Sequence, residues 1–383
     1  MSKKTNKFLH HLMASAIAFS IVAIYALLAY NLKIFNPLVQ VLKEYSITDF
    51  YYQVIGTKAE RDTSRIVTIV DMTRLNDRRD IAYALSEVQE QHPKVIGVDI
   101  LFNGLKPDNP DGDSLIAAIA AKDTSIVFAL QFYDDSYDGQ QYNRVKQSFF
   151  VDSIPHLKEA LVNMPLDNFD GLKRKISIAK TVKGKLRPSM IKRLSDEYAN
   201  QEIMPLKDNT MNINWSPVDF RVIPYDSIAD YGEFLTDRIV LFGSVNDEKD
   251  MHYTPQGKMS GIKLIAYGVE TMVKRTSIIK TPWWVDAILS FIAVLLTKYL
   301  FEIGDRYAKS RKNKFMRISL KTTLAMGILK FLWIAFLMYV GFIIFAKFNI
   351  SINIALAIAA IPFIGPAEDL YNVISNSFSK KEE

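Results

Sequence analysis

Four stretches of this chain carry so little charge that water is a poor solvent for them. Leu12–Leu32 runs for 21 residues without a full charge. As a helix it would be roughly 31 Å long at about 1.5 Å per residue, enough to cross a bilayer core. Residues 282–301 hold only Asp286 and Lys298, residues 322–346 only Lys330, and residues 347–366 only Lys347. A water-exposed helix of such length needs a polar face, and these have almost none. The expectation is four transmembrane α-helices, with Asp286 and Lys298 close enough to their span's ends to reach the headgroups. Lys330 is expected either to snorkel or to meet a polar group of another helix.

The basic residues orient these spans. Lys3, Lys4 and Lys7 precede the first, and residues 302–321 carry Arg306, Lys309, Arg311, Lys312, Lys314, Arg317 and Lys321. By the positive-inside rule, residues 1–11 and the loop 302–321 are cytoplasmic, and 33–281 form one extracytoplasmic domain. Four crossings return residues 367–383 to the cytoplasm as a tail. The first apolar stretch exceeds a usual signal core and lacks a closing small-x-small site, so an uncleaved anchor is expected.

The formal net charge of +6 suggests nucleic acid until it is mapped. Residues 31–281 carry 32 basic and 34 acidic residues, whereas the rest of the chain carries 15 and 7. The excess belongs to the membrane flanks, which argues against a nucleic-acid partner. With no cysteine, thiol nucleophiles, disulfides and cysteine–zinc clusters are excluded.

Within 33–281, the run RIVTIVD (Arg65–Asp71) reads as a buried strand, followed by an amphipathic helix over 77–91. KVIGVDI (Lys94–Ile100) reads as a second buried strand. A helix over 113–122 leads to a third strand at 125–130. RIVLFG (Arg238–Gly243) is another, ahead of a helix over 260–274. Continuously apolar strands alternating with helices predict an α/β domain with a mainly parallel sheet flanked by helices. Residues 131–210 are less regular. Lys173–Arg193 holds nine basic and no acidic residues, read as a hairpin through Lys183-Gly184-Lys185 and a helix opened by Pro188. Asp134–Asp138 is an acidic segment expected to offset it.

In order, RIVTIVD, PKVIGVDILF, DGDSL, DRIVLFGSVNDEKDMHYTP and GIKLIAYGVETMV resemble the CHASE sensory domain of the second type. LDNFDGLKRKISI is similar to that family's Asp-Gly-x-x-Arg stretch at Asp170, Gly171 and Arg174, and SITDFYYQ to the segment that follows its first span. The resemblance covers about 46–275. It implies an extracytoplasmic sensory module on the inner membrane of a bacterium. Family members usually continue into a kinase or cyclase. Ala367–Glu383 shows no such motif, so a separate output protein is expected.

Ligands of open parallel sheets bind beyond the carboxyl ends of the strands. Here that edge receives Asp71, Asp99, Asp250, His252 and Thr254, a candidate site for a small polar or cationic ligand. The competing reading makes each Asp a turn cap and His252 a packing residue. Hard oxygen donors would suit calcium or magnesium, but no calcium-loop or HExxH spacing occurs, and no metal or cofactor is expected. No nucleophile elbow surrounds Ser244, so no catalytic residue is assigned; a hydrolase is the weakest alternative. Arg174, Lys175, Lys183 and Lys185 are candidates for an anionic ligand, against the plainer reading of a solvated basic face.

The expected function is a membrane-anchored sensor of an unidentified small molecule or envelope component, relaying to a separate signalling or envelope protein. The alternative is a structural subunit of an envelope complex. Self-association is left open.

Overall fold

In the computed structural model, the residues described are 3–31, 47–55, 61–75, 77–133, 144–165, 171–310 and 323–379. Asp134–Asp138, Asp170 and most of the 302–321 loop lie outside them. The chain divides into two compact units, Tyr52–Ile278 and a second built from Met1–Tyr51 with Ile279–Glu383.

The strands of the first unit are β1 (Asp62–Asp71), β2 (Val95–Val98), β3 (Ile126–Tyr133), β4 (Arg144–Lys146), β5 (Lys158–Leu161), β6 (Lys175–Ser177) and β7 (Ala179–Val182). They continue with β8 (Lys185–Pro188), β9 (Thr210–Asn212), β10 (Val218–Pro224), β11 (Ile239–Gly243), β12 (Met251–Thr254) and β13 (Gly257–Ser260). Its long helices are α1 (Arg78–Glu90), α2 (Pro110–Lys122), α3 (Met190–Ala199) and α4 (Gly261–Val273). The main sheet has the order β10-β1-β11-β2-β3, and β5 lies parallel on β3. Every pairing in it is parallel except that of the short β4 with the end of β3.

Both faces of this sheet are covered, which is why its strands read as unbroken apolar runs. On one face, Ile81, Leu85 and Val88 of α1 and Ile116 of α2 pack with Val70, Ile96, Val98, Phe128 and Phe242. On the other lie α3 and α4. The approach of α3 is close: a methyl at Gly97 would sit 2.6 Å from Leu194 Cδ1. Helix α1 starts at the N-cap Asp77, whose side chain accepts from Arg79 N–H, 2.7 Å. Beneath it, the buried Arg78–Asp113 ion pair ties α1 to α2, and Arg78 Nη1 also donates to Gly104 O, 2.8 Å, fixing the loop after β2.

In the second unit, Trp283–Ser310 and Thr323–Phe348 are helices. Two segments, Trp283–Tyr307 and Gly327–Phe348, are long and apolar enough to cross a membrane. Among the described residues this is two candidate spans where four were expected. The N-terminal helix Lys3–Asn31 has 29 residues, and within its described part Phe8–Ile24 is an apolar segment. The stretch 347–366 is not one helix. It forms a two-residue strand at Ile350–Ser351, paired with Ile279–Lys280, restarts as a helix at Ala355–Ala360, passes a 3-10 turn at Ile361–Phe363 containing Pro362, and continues as Ile364–Ser379.

The charges of the first long span also differ from expectation. Lys298 is only 4% exposed and faces Glu368 of the last helix, Nζ to Oε2 3.4 Å. Asp286 is buried, accepting from Asn353 N–H at 3.1 Å and from the Thr281 hydroxyl. A charge inside an apolar unit needs such partners. Lys330 is half-buried in its helix.

Candidate functional site

β11, late in the sequence, is inserted between β1 and β2, so the carboxyl ends of three strands meet where chain order reverses. β1 and β11 are stitched there by Asp71. Its Oδ1 accepts from Thr73 N–H (3.0 Å), from Thr73 Oγ1–H (2.5 Å) and from Val245 N–H (3.2 Å). Thr73 Oγ1 in turn lies 3.0 Å from Ser244 Oγ. Asp71 is thus a turn cap that anchors the loop after β11, and it does not line the cavity beside it.

That cavity, of about 250 Å³, is lined by Asp99, Leu101, Gln131, Met164, Asp250 and His252 among others, including Ser244, Asp247 and Gly261. The polar groups are delivered by several elements. Asp99 follows β2, its N–H donating to Phe242 O of β11 at 3.0 Å. Gln131 is on the extension of β3. Asp250 ends a 3-10 turn just ahead of β12 and His252 lies in β12 of the β12–β13 hairpin, with His252 Nε2 3.1 Å from Asp250 Oδ1. The hairpin's turn is closed by Thr254, whose hydroxyl donates to Gly257 O, 2.8 Å. Thr254 is buried in that role and does not line the cavity. On the far wall, Asn163 extends the edge of β5 by mimicking a strand. Its Oδ1 accepts from Phe132 N–H and its Nδ2 donates to Phe132 O, both 2.9 Å, which pins Val162 and Met164 beside the opening.

The charge pattern is one-sided. Asp99, Asp247 and Asp250 line the cavity with His252, and among the described residues no Lys or Arg lines it. Asp99 is half-buried, with its remaining exposure toward the cavity it lines. Burial, and secondarily the charge of Asp250, raises its pKa to about 7, against a smaller lowering by His252. Helix α4 begins at the same place, and its amino end is already occupied: a methyl at Gly261 would lie 2.1 Å from Asp250 Oδ2.

The expected basic group is not assembled in this way. Arg174 is buried, Lys175 lies in β6, and Lys183 and Lys185 are exposed at the β7–β8 turn. Much of the surrounding positive charge is neutralised locally, Lys180 by Asp208 at 3.2 Å, Arg193 by Glu197 at 3.2 Å and Lys192 by Asp196. Of the residues anticipated from sequence, Asp99, Asp250 and His252 are brought together, while Asp71 and Thr254 support the loops around them. Gln131, Met164 and Asp247 were not anticipated. Only Asp247 had a visible signal, its place in the acidic loop after β11.

A parallel sheet with a polar-lined cavity at the carboxyl ends of its strands is the layout of a ligand-binding α/β domain. The chain belongs to the CHASE2 domain family, a family of extracellular sensory domains, whose profile matches residues 17–300. No curated protein and no solved structure matches the chain.

Proposed function

We propose that this protein is a multi-pass sensor of a bacterial inner membrane. Its α/β unit lies outside the cytoplasm, binds a small molecule in the Asp99–Asp250–His252 cavity, and passes the change of state to a separate protein. The observation that carries the reading is the convergence of polar groups from four elements on one cavity, in a chain of a sensory family with two membrane-length apolar helices. Binding without chemistry is favoured by the pairings at the site. His252 is engaged by Asp250 and Ser244 by Thr73, so among the described residues no hydroxyl of the cavity is paired with a base.

The test is a thermal-shift screen of the full chain in detergent, run beside Met164→Trp, which fills the cavity. At 100 times its dissociation constant a ligand adds about 2.7 kcal/mol to the native state. At least one compound should stabilise the wild type and not the variant. Equal stabilisation of both proteins by every hit would remove the cavity from the account and favour a scaffold.

A further inference from the structure

We infer that the cavity selects a small organic ammonium ion, a compact apolar body carrying one protonated amine. This rests on the reading of the cavity as a sensory site and adds the chemical class of its ligand.

Three observations carry it. First, the cavity presents Asp99, Asp247 and Asp250, while among the described residues no lysine or arginine lines it to neutralise them. The Asp99 carboxyl accepts no hydrogen bond among the described residues, so it offers its lone pairs to whatever enters. Second, the same lining includes apolar Leu101, Val162, Met164 and Ile265, which would strip water from a hydrocarbon body. Third, the two other charge classes are disfavoured. An anion would meet three carboxylates, and the amino end of α4 that might attract it is covered by Asp250. A bare metal ion needs several ligands within about 2.6 Å, and among the described residues no three His, Asp or Glu side chains are grouped to hold one. Asp99 can accept directly from a protonated amine, while Asp247 and Asp250, already engaged by Lys249 N–H and His252, add negative potential from further off.

The raised pKa of Asp99 supplies a readout. Its carboxyl faces Asp250 and His252 of the hairpin and shares the cavity with Asp247. An ammonium ion must find it ionised, so binding from below pH 7 releases a proton and the dissociation constant rises up to tenfold per pH unit.

The experiment uses three probes of one skeleton: benzylammonium, benzyl alcohol and benzoate. Each is titrated calorimetrically into the full chain in nanodiscs, in an amine-free buffer. At pH 8 benzylammonium should bind at least tenfold more tightly than either of the others. Its affinity should fall severalfold between pH 7 and pH 6, and Asp99→Asn should erase its advantage over the alcohol. Asp80→Asn, at an exposed position of α1 outside the cavity lining, is made in parallel, controls for a general loss of surface charge and should leave binding unchanged. If the alcohol or benzoate binds as well as the cation, the charge class is wrong while the cavity remains a ligand site. Ammonium binding unchanged in Asp99→Asn also overturns the inference, as does failure of all three probes to bind at 20 mM. The sensing reading then stands or falls separately, on the Met164→Trp screen.

Discussion

Asp71 and Asp99 occupy equivalent places in the sequence, each closing an apolar strand, yet the structure gives them opposite roles. Asp71 receives three hydrogen bonds and holds two loops together. Replacing it with Ala should destabilise the unit by about 0.5–2 kcal/mol, the range for lost capping oxygens. Asp99 accepts none, and burial raises its pKa to about 7. A carboxyl whose folded pKa exceeds its unfolded value holds more protons when folded, so stability falls as pH rises between the two. For Asp99 that window runs from its ordinary 3.8 to about 7. The full shift would be worth about 4 kcal/mol at about 1.4 kcal/mol per unit; with the carboxyl half-exposed and screened by water, Asp99→Asn should add on the order of 1–2 kcal/mol at pH 8 and almost nothing at pH 4. Glu159 of β5 contributes a slope of the same sign, burial raising it to about 7 against the pull of Arg187. The variant should consequently flatten the pH profile of chemical denaturation without levelling it. A loss of stability at pH 8 would make Asp99 a second cap.

At the scale of elements, the tightest fit is α3 against β2. Gly97→Ala would drive a methyl into Leu194, and the helix must retreat or the side chain leave its rotamer. A cost of about 1–3 kcal/mol is expected for such overpacking. Adding Leu194→Ala should recover part of it, so the pair of substitutions will cost less than their sum in urea unfolding. Strands β1, β2, β3 and β11 were legible in the sequence because burial on both faces leaves a continuous apolar run. The same holds for α1 and α4, whose apolar residues recur at helical spacing. β4 through β10 were mostly hidden, since they are three to seven residues long and several are half-exposed. Only the Lys183–Gly184 turn betrayed the β7–β8 hairpin. With β5 unseen, the Val162–Met164 wall of the cavity was unseen too. Nor does a run of apolar residues disclose where a helix breaks, which is why 347–366 was read as one span.

For the molecule as a whole, the topology remains the central expectation, and it is simple to check. A reporter enzyme active only outside the cytoplasm should work when fused after Asp108, in the exposed loop ahead of α2. It should fail when fused after Ser310, at the end of the first long span. Activity at Ser310 would reverse the orientation drawn from the basic segments. Silence at Asp108 would place the α/β unit in the cytoplasm and end the extracytoplasmic account.

The insertion of β11 has a consequence for how the unit comes into being. Ile239 pairs with both Val67 and Val95, so the centre of the sheet is completed by the strand made last among its members. Until residue 243 emerges, β1 and β2 have no common neighbour, and two apolar edges wait unpaired. Contacts this distant in sequence form slowly, because a long loop must close before they stabilise anything. During its synthesis the chain therefore passes through a prolonged, sticky, half-built stage. Whatever shields it then is a condition of its existence.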